Sequence, residues 1–334
     1  MKRRILTGIA ALAGMILLIF DPATALAGAR NGIDLCLATV LPSLFPFLIM
    51  TGMLTSLLAG LSAPLLSSVG FFCGMPAGTE SLLLIGLLGG YPAGAQAVSQ
   101  SWRDGVLDEK NARRLLGFCN HPGPAFLFGI CGQLFPHPWT VWVLWGVLIL
   151  SALLTARCIP RQAGAECDLR RKPATTLSKA LESAVKTMGI ICGWVILFRI
   201  LIGYLEILPL ATMPSAIRCL LLGLLELTNG CCMLSTISSL GLRFLLAALL
   251  LSFGGVCVIM QTASVAGALG VGSYLKGKLL QTGFSFLLAL PISTFMEGGS
   301  PGILLLFCLP IAVIAAFSSV ICKNRSRNSV AVGV

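Results

Sequence analysis

The sequence predicts an all-α, polytopic transmembrane helical bundle of about eight spans, with broken or re-entrant helices arranged in two repeated halves. Three observations predict it. Of 334 residues, 57% are hydrophobic and only 10% charged, against roughly a quarter charged in an average soluble domain. Mean hydropathy is +0.95, and apolar runs able to cross a hydrocarbon core of about 30 Å recur along the whole chain. Two of those runs are interrupted close together, by Gly89-Gly90-Tyr91-Pro92-Ala93-Gly94 and by Cys119-Asn120-His121-Pro122-Gly123-Pro124. Proline removes an amide donor and clashes with the preceding turn, and glycine relaxes the backbone further. The freed backbone groups cannot face lipid. They are tolerated only where they are buried in protein or line a wet cavity. Paired breaks of this kind point to a binding or permeation site near mid-membrane.

Taken in order, residues 1–30 form an N-terminal transmembrane anchor or signal-like segment. A basic start precedes the apolar run Ile5–Phe20, and Ala25-Leu26-Ala27 fits a small-x-small cleavage pattern. The favoured reading is an uncleaved span stopped at Asp21-Pro22. A second long helix runs from about Ile33 to Leu58, with Pro42 and Pro46 on one face and a kink expected there. Ser62–Gly78 is apolar but short and reads as a half-span or re-entrant piece. Glu80–Ser99 holds the first break. Asp108–Arg114 reads as a short helical turn with Glu109 and Arg113 at i,i+4. Leu115–Leu134 holds the second break, and Trp139–Thr155 is an ordinary span with interfacial tryptophans at its start. After Arg157–Thr176 comes an amphipathic run from Leu177 to Met188, continuing to Tyr204. The remaining spans are Ala216–Leu234, Leu242–Ala266, Gly277–Pro291 and Gly302–Ile321, followed by a basic tail at 323–334.

The net charge of +11 gathers in Lys2-Arg3-Arg4, Arg103 to Arg114, Arg157 to Lys172 and Lys323 to Arg327. Short basic loops stay cytoplasmic, so the charge reads as topology and places residues 157–176 in the cytoplasm. The expected environment is a lipid bilayer, with the chain a multi-pass protein of the cell membrane. Nucleic acid is not an expected partner, because the basic runs carry no interleaved aromatics. The 13 cysteines contain no C-x-x-C pair and the histidines are only His121 and His137. Neither a metal, a cofactor nor a disulfide framework is expected.

The halves, residues 31–156 and 177–322, echo each other. Leu115-Leu116-Gly117-Phe118 matches Leu250-Leu251-Ser252-Phe253, and Gly254-Gly255 then stands where Cys119-Asn120 stands. At nearly the same offset Gly94 meets Asn229-Gly230, and Met50-Thr51-Gly52 echoes Thr187-Met188-Gly189. Interrupted segments at corresponding positions of two halves point to a transporter-like site between them.

Glu226 is the sharpest single candidate, because an ionisable group at membrane depth costs at least ~2.5 kcal/mol on insertion scales. It reads as a ligand, proton or cation contact within a span, against the plainer role of capping a half-helix or pairing with a neighbour. Thr228 and Asn229 add a hydroxyl and an amide beside it, and Gly230 follows. Asn120 and Gly123 are candidates from the second break, with His121 weaker. Gly90, Tyr91, Pro92 and Gly94 supply unwound backbone in the first. Gln96 is expected to meet Gln261, beyond Gly254 and Gly255, across the two halves; buried amides of this kind serve equally as interhelical glue. Enzyme readings fare badly. The sequence has no P-loop, no G-x-S-x-G, no H-E-x-x-H and no close acidic pair within a span.

Several of these stretches together resemble the sporulation integral membrane protein family of the YlbJ type. They are Leu41-Pro42-Ser43-Leu44-Phe45-Pro46-Phe47, Gly90-Tyr91-Pro92-Ala93-Gly94-Ala95, Phe118-Cys119-Asn120-His121-Pro122-Gly123-Pro124, Glu226-Leu227-Thr228-Asn229-Gly230, Phe253-Gly254-Gly255 with Gln261, and Tyr274-Leu275-Lys276 to Leu279-Leu280-Gln281. The resemblance runs from about Asn31 to Ser293. His121-Pro122 departs from the family pattern, as does the apolar run Cys257 to Met260. That family is similar to a wider Gate or nucleoside-recognition group. The resemblance implies a role in endospore formation and a transporter-like or gating architecture for a small polar solute or ion. It also implies other sporulation membrane proteins as partners. A non-transporting scaffold in a sporulation complex is the alternative expectation.

Overall fold

A computed structural model describes residues 2–58, 64–161, 175–206 and 212–307. Helix α1, Lys2–Phe20, is followed by α2, Pro22–Leu35. Asp21 separates them. Its carboxylate accepts the Thr24 amide at 3.1 Å and Pro22 takes the first helical position, a capped start. The second long helix therefore begins at Pro22 and not near Ile33. It passes through a π-helical turn, Cys36–Val40, into α3, Leu41–Leu58. The irregularity that a proline imposes is taken up by widening the turn before Pro42.

Helix α4 is Pro64–Cys73. The first break then separates α5, Glu80–Gly89, from α6, Ala93–Arg103. Next come α7, Glu109–Leu116, and α8, Pro124–Ile130, on either side of the second break, and the long α9, Trp139–Cys158. The second half starts with α10, Leu177–Leu205. It continues with α11, Ser215–Leu225, and α12, Leu227–Met233, then α13, Leu240–Phe253, α14, Gly255–Ala266, and α15, Gly272–Met296, followed by a 3₁₀ segment, Pro301–Phe307.

Hydrogen bonds tie these ends into two opposite faces. At one, which we call the basic end, Arg103 Nη1 donates to the Val265 carbonyl at 3.5 Å and Arg161 Nη2 to that of Phe71 at 2.8 Å. Arg114 there donates to the carbonyls of Cys73, Gly74, Ala156 and Pro160, at 2.6, 3.1, 3.0 and 3.0 Å. At the other end Tyr204 Oη donates to the Asp21 carbonyl at 2.9 Å. Arg243 donates to the carbonyls of Leu134 and Ile237. Glu297 accepts from Ser239 Oγ and the Gly241 amide, both at 2.7 Å.

These anchors overturn one expected span, Ala216–Leu234, and give the interrupted segment Glu80–Ser99 its course. Helix α5 leaves the basic end and α6 returns to it, so Glu80–Ser99 is a re-entrant hairpin and not a crossing. Helix α11 leaves the opposite end and α12 returns to it, so Ala216–Leu234 is a hairpin as well. Each first arm, α5 and α11, is about 15 Å long at 1.5 Å per residue, half of a ~30 Å core. The two tips meet near the middle. Glycine lets each pair of arms close. A Cβ on Gly94 would lie 2.9 Å from Gly86 Cα and 1.8 Å from the Cys119 carbonyl oxygen, and one on Gly230 would lie 2.3 Å from Gly223 Cα.

The α7–α8 and α13–α14 pairs instead continue through the bundle as broken helices. The fold is an all-α polytopic bundle, and the chain is a multi-pass membrane protein. Five helical stretches are long and apolar enough to cross a bilayer among the described residues: Pro22–Leu54, Trp139–Cys158, Leu177–Leu205, Leu240–Leu269 and Gly272–Met296. Exposed Leu197 and Leu201 on α10, and Leu279, Leu287 and Leu290 on α15, form an apolar perimeter suited to lipid. Most of the expected Gly302–Ile321 span, of the 157–176 loop and all of the tail lie outside the described residues.

Candidate functional site

The first hairpin turns at Gly90, with φ +75°, and a cis Tyr91-Pro92 bond. Tyr91 is buried. Its hydroxyl donates to the Leu251 carbonyl at 3.1 Å and accepts from Lys278 Nζ at 2.9 Å. Directly against this tip lies the second break: a Cβ on Gly90 would fall 2.8 Å from the Gly123 amide nitrogen. Asn120, fully buried, fastens the two together. Its Oδ1 accepts the Ala95 amide at 3.2 Å and its Nδ2 donates to Thr262 Oγ1 on α14 at 3.0 Å.

The second hairpin turns at Glu226, which is 1% exposed. Its two carboxylate oxygens accept the Thr228 and Asn229 amides at 2.9 and 2.6 Å, so it caps α12. Asn229 faces the other way and accepts from Arg199 Nη1 on α10 at 2.6 Å. The last break, Gly254 with φ +87° and Gly255 with φ +78°, is wedged between both hairpins. A Cβ on Gly254 would lie 3.2 Å from the Tyr91 ring, and one on Gly255 would lie 3.0 Å from the Gly223 carbonyl oxygen.

All four interruptions thus converge. Among them lies a cavity of about 30 Å³, lined by Tyr91, Pro122, Gly123, Glu226, Leu227, Thr228, Val258 and Gln261, with Val40, Leu44, Phe126, Ile191 and Val195 closing it. A water needs about 10–15 Å³ of such space, so one or two water molecules fit.

Of the residues expected from sequence, Tyr91, Gly123, Glu226, Thr228 and Gln261 line this cavity. Gly90, Pro92 and Gly254 shape its walls from behind. Gly94, Gly230 and Gly255 are contact surfaces between helices, Asn120 is a fastener, and Asn229 is held by Arg199. Glu226 lies at a hairpin turn, not inside a span. The expected meeting of Gln96 and Gln261 does not occur. Gln96 Nε2 donates to Ser183 Oγ at 3.1 Å and Gln96 Oε1 accepts from Thr187 Oγ1 at 3.0 Å, both on α10. Gln261 Nε2 instead donates to Cys257 Sγ at 3.4 Å. Helical phase turns the two amides to different neighbours. Gln96 faces a second, larger cavity at the basic end.

Sequence reasoning missed Lys278. It is 0% exposed. Its ammonium donates to Tyr91 Oη and, at 2.8 Å, to Gln281 Oε1. It lies 4.8 and 5.6 Å from the ring centres of Tyr91 and Tyr274. No carboxylate pairs with it among the described residues. The signal was present as Tyr274, Lys278 and Gln281 at i, i+4 and i+7, a polar stripe along one helix face.

No protein-family profile matches the chain, and no solved structure gives a significant match. A curated relative, the sporulation integral membrane protein YlbJ of Bacillus subtilis (strain 168), is 24% identical over 301 aligned residues. The alignment covers 74% of this chain and 72% of the relative. The chain is similar to YlbJ over most of both lengths.

Proposed function

We propose that this chain is a gate or transporter-like protein for a small polar solute, acting in the membranes of endospore formation. The observation that carries the reading is the meeting of two half-length hairpins, entering from opposite ends, at a small, mainly apolar cavity into which Glu226, Thr228 and Gln261 bring a few polar groups, walled by two broken helices. Irregular backbone at membrane depth is tolerated where it lines such a cavity, and discontinuous helices at a repeat interface are where transporters bind. Similarity to YlbJ supports the sporulation role and membership of that family. The repeat fits the same reading. Each half runs long helix, hairpin, broken helix, long helix, with the second half traversed in the reverse sense, as an inverted duplication requires. The chemistry needed is binding and release, with no covalent step.

A non-transporting scaffold is the second reading, favoured by a cavity with room for only a water or two. Glu226 separates them. Glu226→Ala removes both cap acceptors, costing about 0.5–2 kcal/mol, while Glu226→Gln keeps one acceptor and removes the charge. With the native gene replaced in its own host, the gate reading expects both variants to reach the membrane at normal abundance and to yield far fewer heat-resistant spores. Normal yields from both would show that the Glu226 cavity is not the working part and leave the scaffold.

A further inference from the structure

We infer that the larger cavity, at the basic end, binds a small soluble anion carrying a phosphate or carboxylate group. This goes beyond the gate reading, since it concerns other residues and a different end of the molecule. The cavity measures about 420 Å³ and opens between α6, α10 and α14. Its ionisable lining is Arg103, Lys179, Lys186 and Glu182: three cations less one carboxylate, a net charge of +2. Among the described residues no ion pair joins Glu182 to any of them, so their charge is not neutralised within the wall. Arg103 spends one long hydrogen bond, 3.5 Å, on the Val265 carbonyl and keeps its other donors. The neutral wall adds Gln96 and Thr187, already bonded to each other at 3.0 Å. Gln100 is occupied with Asp104 Oδ1 at 2.6 Å. A concave site with a net excess of one charge attracts the opposite charge, and charge-assisted hydrogen bonds from arginine and lysine suit phosphate and carboxylate.

Basic residues near a membrane surface also attract anionic headgroups, so the geometry must choose. The lipid-facing side of α10 carries exposed Leu181 and Val185. The cavity side is turned to α6 and α14 and tied down by the Gln96 bonds to Ser183 and Thr187. That turns the anion site toward α6 and α14, away from the Leu181 and Val185 side of α10, and favours a soluble occupant.

The test is inorganic phosphate, with malonate as the carboxylate probe, titrated at constant ionic strength into the full chain in phosphatidylcholine nanodiscs. Tryptophan fluorescence reads binding, since Trp194 Nε1 donates to Ser264 Oγ on the cavity wall at 2.9 Å. A saturable change is expected. Its affinity should fall about tenfold or more in an Arg103→Gln, Lys179→Gln, Lys186→Gln triple variant, rise in Glu182→Gln, and hold in the exposed control Lys110→Gln. No saturable response, or an equal one in the triple variant, overturns the inference. Loss of the response in phosphatidylglycerol nanodiscs assigns the site to a lipid headgroup and also overturns it. Binding is read here without passage, so anion binding with no solute movement in proteoliposomes would sink the gate reading and leave this one standing.

Discussion

Lys278→Ala is expected to destabilise the chain by about 2–5 kcal/mol, whereas Lys278→Met should keep it folded within about 1–2 kcal/mol of wild type. The difference follows from what the side chain does. It fills the space between Tyr91, Tyr274 and Gln281 and holds its Nζ where, among the described residues, no carboxylate answers it. Alanine leaves a void and strands the Gln281 carbonyl. Methionine refills the void and replaces a buried polar amine with an apolar group of similar length, offsetting the two lost hydrogen bonds. Tyr91 keeps its bond to the Leu251 carbonyl in either case. What methionine cannot replace is the tether between the first hairpin tip and α15. The methionine variant is therefore expected to show faster amide exchange around Gly90–Ala93 with little loss of global stability in denaturant titration. An alanine variant as stable as wild type would refute the packing role, and unchanged exchange in the methionine variant would refute the tether.

Arg114→Ala is the second large effect, expected at about 3 kcal/mol or more, since hydrogen bonds to a charged group are worth about 1.5–3 kcal/mol each. Arg114 is 4% exposed, and its guanidinium gathers the carbonyl ends of α4 and α9 onto α7. It also lies 5.0 Å from the centre of the Phe118 ring, just before the second break. Lysine at this position should recover little, because three donors on a point charge cannot reproduce a planar fork that reaches four carbonyls. Thermal unfolding of the detergent-solubilised chain checks both variants. Full rescue by lysine would contradict the geometry.

How much of this was legible in the sequence depends on the kind of signal. The breaks were legible, because glycine, proline and amides inside apolar runs have no neutral explanation in lipid. Tyr91, Gly123, Glu226, Thr228 and Gln261 follow from them. Which of the broken segments double back was not. Hydropathy over Glu80–Ser99 is the same whether the segment runs straight or doubles back, and only a distant bond such as Arg103 to the Val265 carbonyl shows the return. Arg114 looked like one more cytoplasmic cation in a basic run, and Lys278 drew no attention near the start of the Gly277–Pro291 span. Both are buried by partners far away in sequence. The Gln96–Gln261 pairing failed for a related reason: helical depth can be counted along a chain, but the direction each side chain faces is set by packing.

The account rests on the four interrupted segments meeting at one cavity. Short-span bifunctional thiol cross-linking tests this most directly, using the full chain in a cysteine-depleted background with Phe126→Cys paired with Thr228→Cys, and Tyr91→Cys paired with Val258→Cys. All four positions line the cavity. The account predicts intramolecular cross-links in both pairs and in a Gln96→Cys, Thr187→Cys control, and none between Tyr91→Cys and Thr236→Cys at the opposite end. Cross-linking of the control pair without either cavity pair would contradict it.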